Sequence, residues 1–79
     1  MTDLLRLPRT MASVGLRKSA LYDRIARGLF PKQVSLGGRA VAWPANEVAA
    51  VNAARIARKS DTEIRELVRL LEAARQTGQ

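Results

Sequence analysis

The stretch GLRKSALYDRIARGLFPKQVSLGGRAVAW, residues 15–43, sets the fold, and the rest of the chain can be read outward from it. Within it Leu21 and Ile25 stand four apart, with Ala26 beside Ile25. That is the spacing of one apolar helix face, and it predicts a helix from about Lys18 to Arg27. Gly28 closes this helix and Pro31 forbids its continuation. Two short alternating runs follow, Gln33-Val34-Ser35-Leu36 and Ala40-Val41-Ala42-Trp43. Gly37-Gly38-Arg39 joins them and supplies the positive φ angles that a tight hairpin requires. Two strands this short cannot stand alone and must lie against helices.

Upstream, Leu4-Leu5-Arg6-Leu7 is an apolar patch interrupted by Pro8. It reads as a brief strand, able to make the sheet three-stranded, that leads into a helix from Pro8 to Val14. Proline suits a first helical position, where its missing N–H is no loss. Met11, Ala12 and Val14 are the residues expected in the core, and Gly15 is the expected left-handed stop. Downstream, Pro44 opens a third helix, with Glu47 in its first turn, that runs through an Ala-rich stretch to about Lys59. Ser60-Asp61-Thr62-Glu63 reads as a capping box. Beyond it Ile64, Leu67, Val68, Leu71 and Ala74 form one stripe, and a loose Gln76–Gln79 tail closes the chain. The last two helices can be separate or a single rod. The expected class is mainly α with a small β-hairpin wing, a winged helix-turn-helix plus a C-terminal amphipathic helix. Residues 1–59 are expected to form the DNA-binding domain, and residues 60–79 an amphipathic helix for packing or oligomerisation.

Composition narrows the function. A chain of 79 residues has room for one domain, and a domain this short buries only about 60% of its unfolded surface. That leaves little for a deep, rigid cleft. There are 14 Lys plus Arg against 7 Asp plus Glu, a net charge of +7. Residues 1–59 hold 11 basic and 3 acidic groups, and residues 60–79 hold 3 and 4, so the whole excess lies on the first three quarters of the chain. Such a surface attracts polyanions, of which nucleic acid is the usual one. With no Cys and no His, disulfides, a Cys/His zinc site and a Ser-His or Cys-His catalytic pair are all excluded. The acids along the basic segment are scattered singly, so no paired carboxylate is available for acid–base work, and no enzyme is expected. No apolar run approaches the roughly 20 residues that span a bilayer, and Met1 to Pro8 lacks the order of a signal peptide. The expected setting is the cytoplasm, with no membrane partner.

Two helices joined by a turn at Gly15-Leu16 and followed at once by a hairpin suit duplex DNA. The second helix is narrow enough for the major groove, and its N-terminal side chains would reach base edges there. Arg17, Lys18, Ser19, Tyr22 and Asp23 hold those positions. Arg39 at the hairpin tip, with Arg27 and Lys32 flanking the same surface, would meet phosphates or the adjacent minor groove. The competing reading for Lys18, Ser19 and Tyr22 is an ordinary solvated face, and Tyr22 can instead lie over the core edge with only its hydroxyl exposed. Asp23 can accept from cytosine or pair with Arg27 at i+4, and the ion pair is the preferred reading. Trp43, on an alternating strand beside a proline, is expected in the core. Arg6 and Arg9 fit either role.

Several runs carry a family resemblance. They are Leu4-Leu5-Arg6-Leu7-Pro8, Gly15-Leu16 with Lys18-Ser19, Leu21-Tyr22, Ile25-Ala26 and Gly28. Phe30-Pro31, Val34, Leu36-Gly37-Gly38-Arg39-Ala40-Val41, Trp43 and Glu47-Val48 continue it. The chain resembles the AlpA-type prophage regulators, which sit close to the small phage excisionases and share a fold with the DNA-binding part of MerR proteins. The resemblance covers about residues 4–59 and is most specific from Phe30 to Trp43. It implies a prokaryotic, nucleoid-associated protein that binds double-stranded DNA without a cofactor or metal. Such a protein either regulates transcription or acts as a recombination directionality factor. There are three departures. Arg17 stands where the family more often has a capping Ser or Thr. Val51-Asn52 stands where it often has Trp followed by an aliphatic residue, which implies a thinner core completed by the fourth helix. The amphipathic segment after Ser60 lies beyond the match.

Two readings of that last segment stay open. Ile64, Leu67, Val68 and Leu71 either pack back on their own domain or meet a partner: another copy on a neighbouring DNA site, an integrase or other recombinase, or RNA polymerase. Leu70, off the main stripe, widens the apolar face. The rival of another class is a protein-interaction adaptor whose charge is incidental. An RNA-binding reading is weaker, because Tyr22, Phe30 and Trp43 are not arranged as a stacking platform.

Overall fold

The structure, a computed structural model, describes residues 3–77. The chain opens with a strand, β1 (Leu4–Arg6), that runs directly into helix α1 (Leu7–Val14). Helix α2 (Lys18–Ala26), the hairpin strands β2 (Val34–Gly37) and β3 (Ala40–Pro44), and helices α3 (Ala45–Ile56) and α4 (Asp61–Thr77) follow. The three strands form one antiparallel sheet in the order β1-β3-β2. Leu5 pairs with Trp43 on one side of β3, and Ser35 pairs with Val41 on the other. The register shifts between Ser35 and Gly37, and the turn is made by Gly37 and Gly38 at φ +103° and +57°. The architecture is the expected helix-turn-helix with a β-hairpin wing. Of the expected Gln76–Gln79 tail, Gln76 and Thr77 still belong to α4, and the last two residues lie outside the described ones.

Three helices stop in the same way. After α1, Gly15 takes φ +70° and the Leu16 N–H donates to Met11 O (3.2 Å). After α2, the Gly28 and Leu29 N–H groups donate to Ile25 O and Arg24 O (3.1 and 2.8 Å). After α3, Arg58 at φ +60° and Lys59 donate to Arg55 O and Ala54 O (both 3.0 Å). Each is a left-handed residue closing the last turn, and it satisfies carbonyls that a helix end would otherwise leave open. Arg58 therefore ends α3 at Ile56 rather than near Lys59, and the last two helices are separate. The capping box restarts the chain: Glu63 N–H donates to Ser60 Oγ (3.1 Å), and Ser60 N–H donates to Glu63 Oε1 (2.9 Å).

The core joins all four helices and the sheet. Trp43, Leu21, Ile64 and Val48 are fully buried, with Leu29, Phe30, Val51 and Val68 nearly so. Trp43 is the core anchor expected, and its one polar atom is satisfied because Nε1 donates to Pro31 O (2.9 Å). Two small residues expected inside are exposed, Ala12 and Ala26. In α1 the inward stripe is Leu7, Thr10, Met11 and Val14, at helical spacing, which leaves Ala12 on the far side. Thr10 is fully buried and donates its hydroxyl to Leu5 O (3.2 Å). Ala26 lies five positions from Leu21, off the face that Leu21 defines.

The stripe on α4 packs inward. Ile64 and Val68 are core residues, and Leu67 and Leu71 lie against them. Packing on its own domain is one of the two readings of this stripe; Leu67 and Leu71 are only partly buried. Val51 shares its core cluster with Ile64 and Val68 of α4. Ala74, at the end of the stripe, is exposed.

Candidate nucleic-acid interface

Helix α2 presents two unlike sides. Leu21 is fully buried and Ile25 packs against the core, so Lys18, Ser19, Ala20 and Asp23 are turned outward and exposed. Arg17 precedes them in extended conformation (φ −77°, ψ 166°) and makes no side-chain cap. The first N–H groups of α2 thus have no side-chain acceptor from Arg17.

Asp23 pairs with Arg27 at i+4, Oδ2 to Nη1 at 3.4 Å, the preferred of its two readings. Both side chains are exposed, so the pair is weak and exchangeable. Tyr22 is not free in the way Lys18 and Ser19 are. It is half-buried and stands edge-on to Trp43, ring centroids 6.2 Å apart at 64°. Its ring belongs to the core edge.

On the wing, Arg39 is exposed at the turn between β2 and β3. Lys32 is exposed where the chain leaves α2 for the wing. Arg6 and Arg9 are exposed at the β1–α1 junction. The C-terminal helix does not cover the outward face of α2. At the end of α2, Arg65 Nε donates to Arg27 O (2.9 Å).

Several residues that shape this surface have no local sequence signal. Glu47, read from sequence as a first-turn acid, is 3% exposed and gripped by Arg75 of α4, with Nε to Oε2 at 2.9 Å. Glu72 accepts from Lys32 N–H (2.8 Å), and Arg75 Nη2 donates to Lys32 O (2.8 Å). Asn52 Nδ2 donates to both Ser13 O and Ser13 Oγ (3.2 Å each), tying α3 to the end of α1. These partners stand 28 to 43 positions apart, and periodicity reports only neighbours. Among the described residues there is no His/Cys/Asp/Glu group able to hold a metal, and no helix long and apolar enough to cross a membrane.

The sequence matches the family described as Prophage CP4-57 regulatory protein (AlpA) over residues 3–55. The chain belongs to this family. A relative, the uncharacterized protein ORF88 of Enterobacteria phage P4, is 53% identical over 53 residues. That alignment covers 67% of this chain and 60% of the relative, so the chain spans about three fifths of that protein's length. No solved structure matches. The AlpA match takes in β1, α1, α2, the wing and nearly all of α3, and it stops short of α4.

Proposed function

We propose that this AlpA-family protein binds double-stranded DNA sequence-specifically, with α2 in the major groove and the wing on the flanking backbone. One observation carries the reading: Lys18, Ser19 and Asp23 face outward on a helix that α4 leaves uncovered, in a chain of net charge +7. Lys18, Ser19 and Asp23 read base edges, joined by the Tyr22 hydroxyl. Arg17, Arg27, Lys32 and Arg39 hold phosphates, or the minor groove in the case of Arg39. Residues 1–59 form the DNA-binding body, and α4 buttresses it.

A single module reads too few base pairs for a unique genomic address, so several copies act on adjacent sites. Bending by those copies would direct a recombinase toward excision, whereas bound promoters would be repressed or activated. Genome-wide footprinting separates the two outputs: peaks at an attachment site indicate excision, and peaks at promoters indicate transcriptional control. On a footprinted site, the Lys18→Glu/Arg39→Glu double variant should fold and lose the gel shift. A double variant that still binds overturns the reading.

A protein-interaction adaptor is the second reading, and a specific surface favours it. A groove of about 300 Å³ between α3 and α4 is lined by Ala54, Lys59, Glu63, Glu66, Leu67 and Leu70. Leu70 is 53% exposed, and Ile56 at the end of α3 is 83% exposed. Leu70→Glu separates the readings. An adaptor loses its biological activity with this change and keeps it in Lys18→Glu/Arg39→Glu, while a DNA binder loses it in Lys18→Glu/Arg39→Glu whatever Leu70→Glu does.

A further inference from the structure

The segment from Arg27 to Gln33 joins the recognition helix to the wing, and it has no ladder of its own. The Gly28 and Leu29 N–H groups are satisfied by the end of α2. Beyond them the segment's backbone is held by side chains. Arg65 Nε donates to Arg27 O (2.9 Å), and Trp43 Nε1 donates to Pro31 O (2.9 Å). Lys32 N–H donates to Glu72 Oε2, and Lys32 O accepts from Arg75 Nη2, both at 2.8 Å. Three of these four contacts come from α4. Arg65, Glu72 and Arg75 are spaced at seven and three residues, which places them along one face of that helix. Arg75 is itself braced by the buried carboxylate of Glu47 in α3, the helix that follows β3 directly. The connector is thus fixed at both ends by a helix that the AlpA match does not include.

We infer that α4 is a splint that sets the placement of the wing relative to α2, with Arg65 and Glu72 as positioning residues and the Glu47–Arg75 pair as its anchor. For its effect on affinity this rests on the DNA-binding reading above; for the geometry it does not. A backbone with free N–H and C=O groups exchanges its partners for water and moves as a hinge. The same backbone, held at Arg27 and Lys32, presents helix and wing to one duplex at a fixed spacing, and the ordering cost on binding is already met. Arg75 is left unaltered in the test, because removing it strands the buried Glu47 charge.

Residual dipolar couplings of the wing and α2 amides, measured on the free protein, decide the geometry. In an Arg65→Ala/Glu72→Ala variant the couplings within each element should stay self-consistent, while those of the wing should no longer fit one orientation with α2. Lys32 amide exchange should quicken by about tenfold or more as its acceptor is lost. Glu72→Ala alone should raise Lys32 exchange even if the double variant folds poorly. Glu72→Gln, which keeps an acceptor oxygen, should restore protection. Unchanged wing orientation in the double variant, or unchanged Lys32 exchange in Glu72→Ala, overturns the splint.

On DNA, Arg39→Ala should weaken the wild type about fivefold or more and the splint variant less than about twofold, since coupled residues are non-additive. Equal losses in both backgrounds overturn the claim that the splint serves the wing contact. If the wild type binds no DNA, the functional reading falls, and the couplings still decide the splint.

Discussion

The ring of Tyr22, on α2, stands edge-on to the indole of Trp43, on β3, with centroids 6.2 Å apart and planes at 64°. This contact packs the two elements that would touch DNA against one another without fixing their orientation, and Phe30 packs on the same indole at 6.3 Å. Tyr22 is half-buried, so its ring and its hydroxyl serve different ends. Tyr22→Ala should destabilise the fold by about 2 kcal/mol, less than the loss for a fully buried aromatic. Tyr22→Phe should change stability by less than about 0.5 kcal/mol, because the ring contact with Trp43 is kept. Chemical denaturation followed by circular dichroism measures both. If Tyr22→Phe keeps the stability and loses affinity for DNA, the hydroxyl is a contact group.

How much of this was legible depends on the range of the interaction concerned. The hairpin follows from Gly37-Gly38 between two alternating runs, and the outward placement of Lys18 and Ser19 follows from Leu21 and Ile25 pointing in. The Ser60–Glu63 capping box is a three-residue relation, so it was readable, and both of its hydrogen bonds are present. Thr10 gave no sequence signal, because its burial depends on a hydroxyl bonding the backbone of β1, which hydropathy does not register. Arg75 on Glu47, and Glu72 and Arg75 on Lys32, were invisible because tertiary packing alone brings such distant residues together. For the same reason the α4 stripe could not be assigned to core or partner before the position of Val51 in the core was known.

Arg58 is the one non-glycine residue with positive φ (+60°) among the described residues, and it occupies the position that Gly15 and Gly28 fill after the other two helices. A side chain there is strained by about 1 kcal/mol, offset in part by the freedom glycine adds to the unfolded chain. Arg58→Gly should therefore raise the stability by about 0.5 kcal/mol, seen as a higher denaturation midpoint. Arg58→Ala should leave it close to wild type, since the alanine Cβ keeps the strain. A lower midpoint for Arg58→Gly would mean that the Arg58 side chain makes a stabilising contact of its own.

The capping box makes the start of α4 acid-sensitive. The Ser60 backbone N–H, then the Ser60 hydroxyl, holds the Glu63 carboxyl below its ordinary value, with Lys59 adding a smaller pull. A group whose pKa is lower in the folded state contributes stability above its unfolded pKa, and that contribution is lost as pH falls through the folded one. Glu63→Gln should therefore be the less stable protein at neutral pH, and the gap should close below the ordinary carboxylate range. Ser60→Ala should cost about 1 kcal/mol at neutral pH through the lost cap. Melting curves of wild type and Glu63→Gln, collected from neutral to acidic pH, test the sign. A gap that widens in acid contradicts it.

Arg17 is where folding and binding are expected to pull in opposite directions. It occupies the N-cap of α2 without capping it, so a residue with a short hydroxyl side chain would satisfy an N–H that now has no side-chain acceptor. Arg17→Ser should thus stabilise the domain, by about 0.5–1 kcal/mol. The same change removes a cation from the end of the helix that would approach the phosphates, and each phosphate contact releases counterions in proportion. Affinity for DNA should fall, and the slope of log affinity against log salt should become shallower by about 1. A thermal melt and a salt titration on one preparation read the two effects side by side. A more stable variant with an unaltered salt slope would mean that Arg17 touches no phosphate, and its place at the N-cap would then have no binding role to explain it.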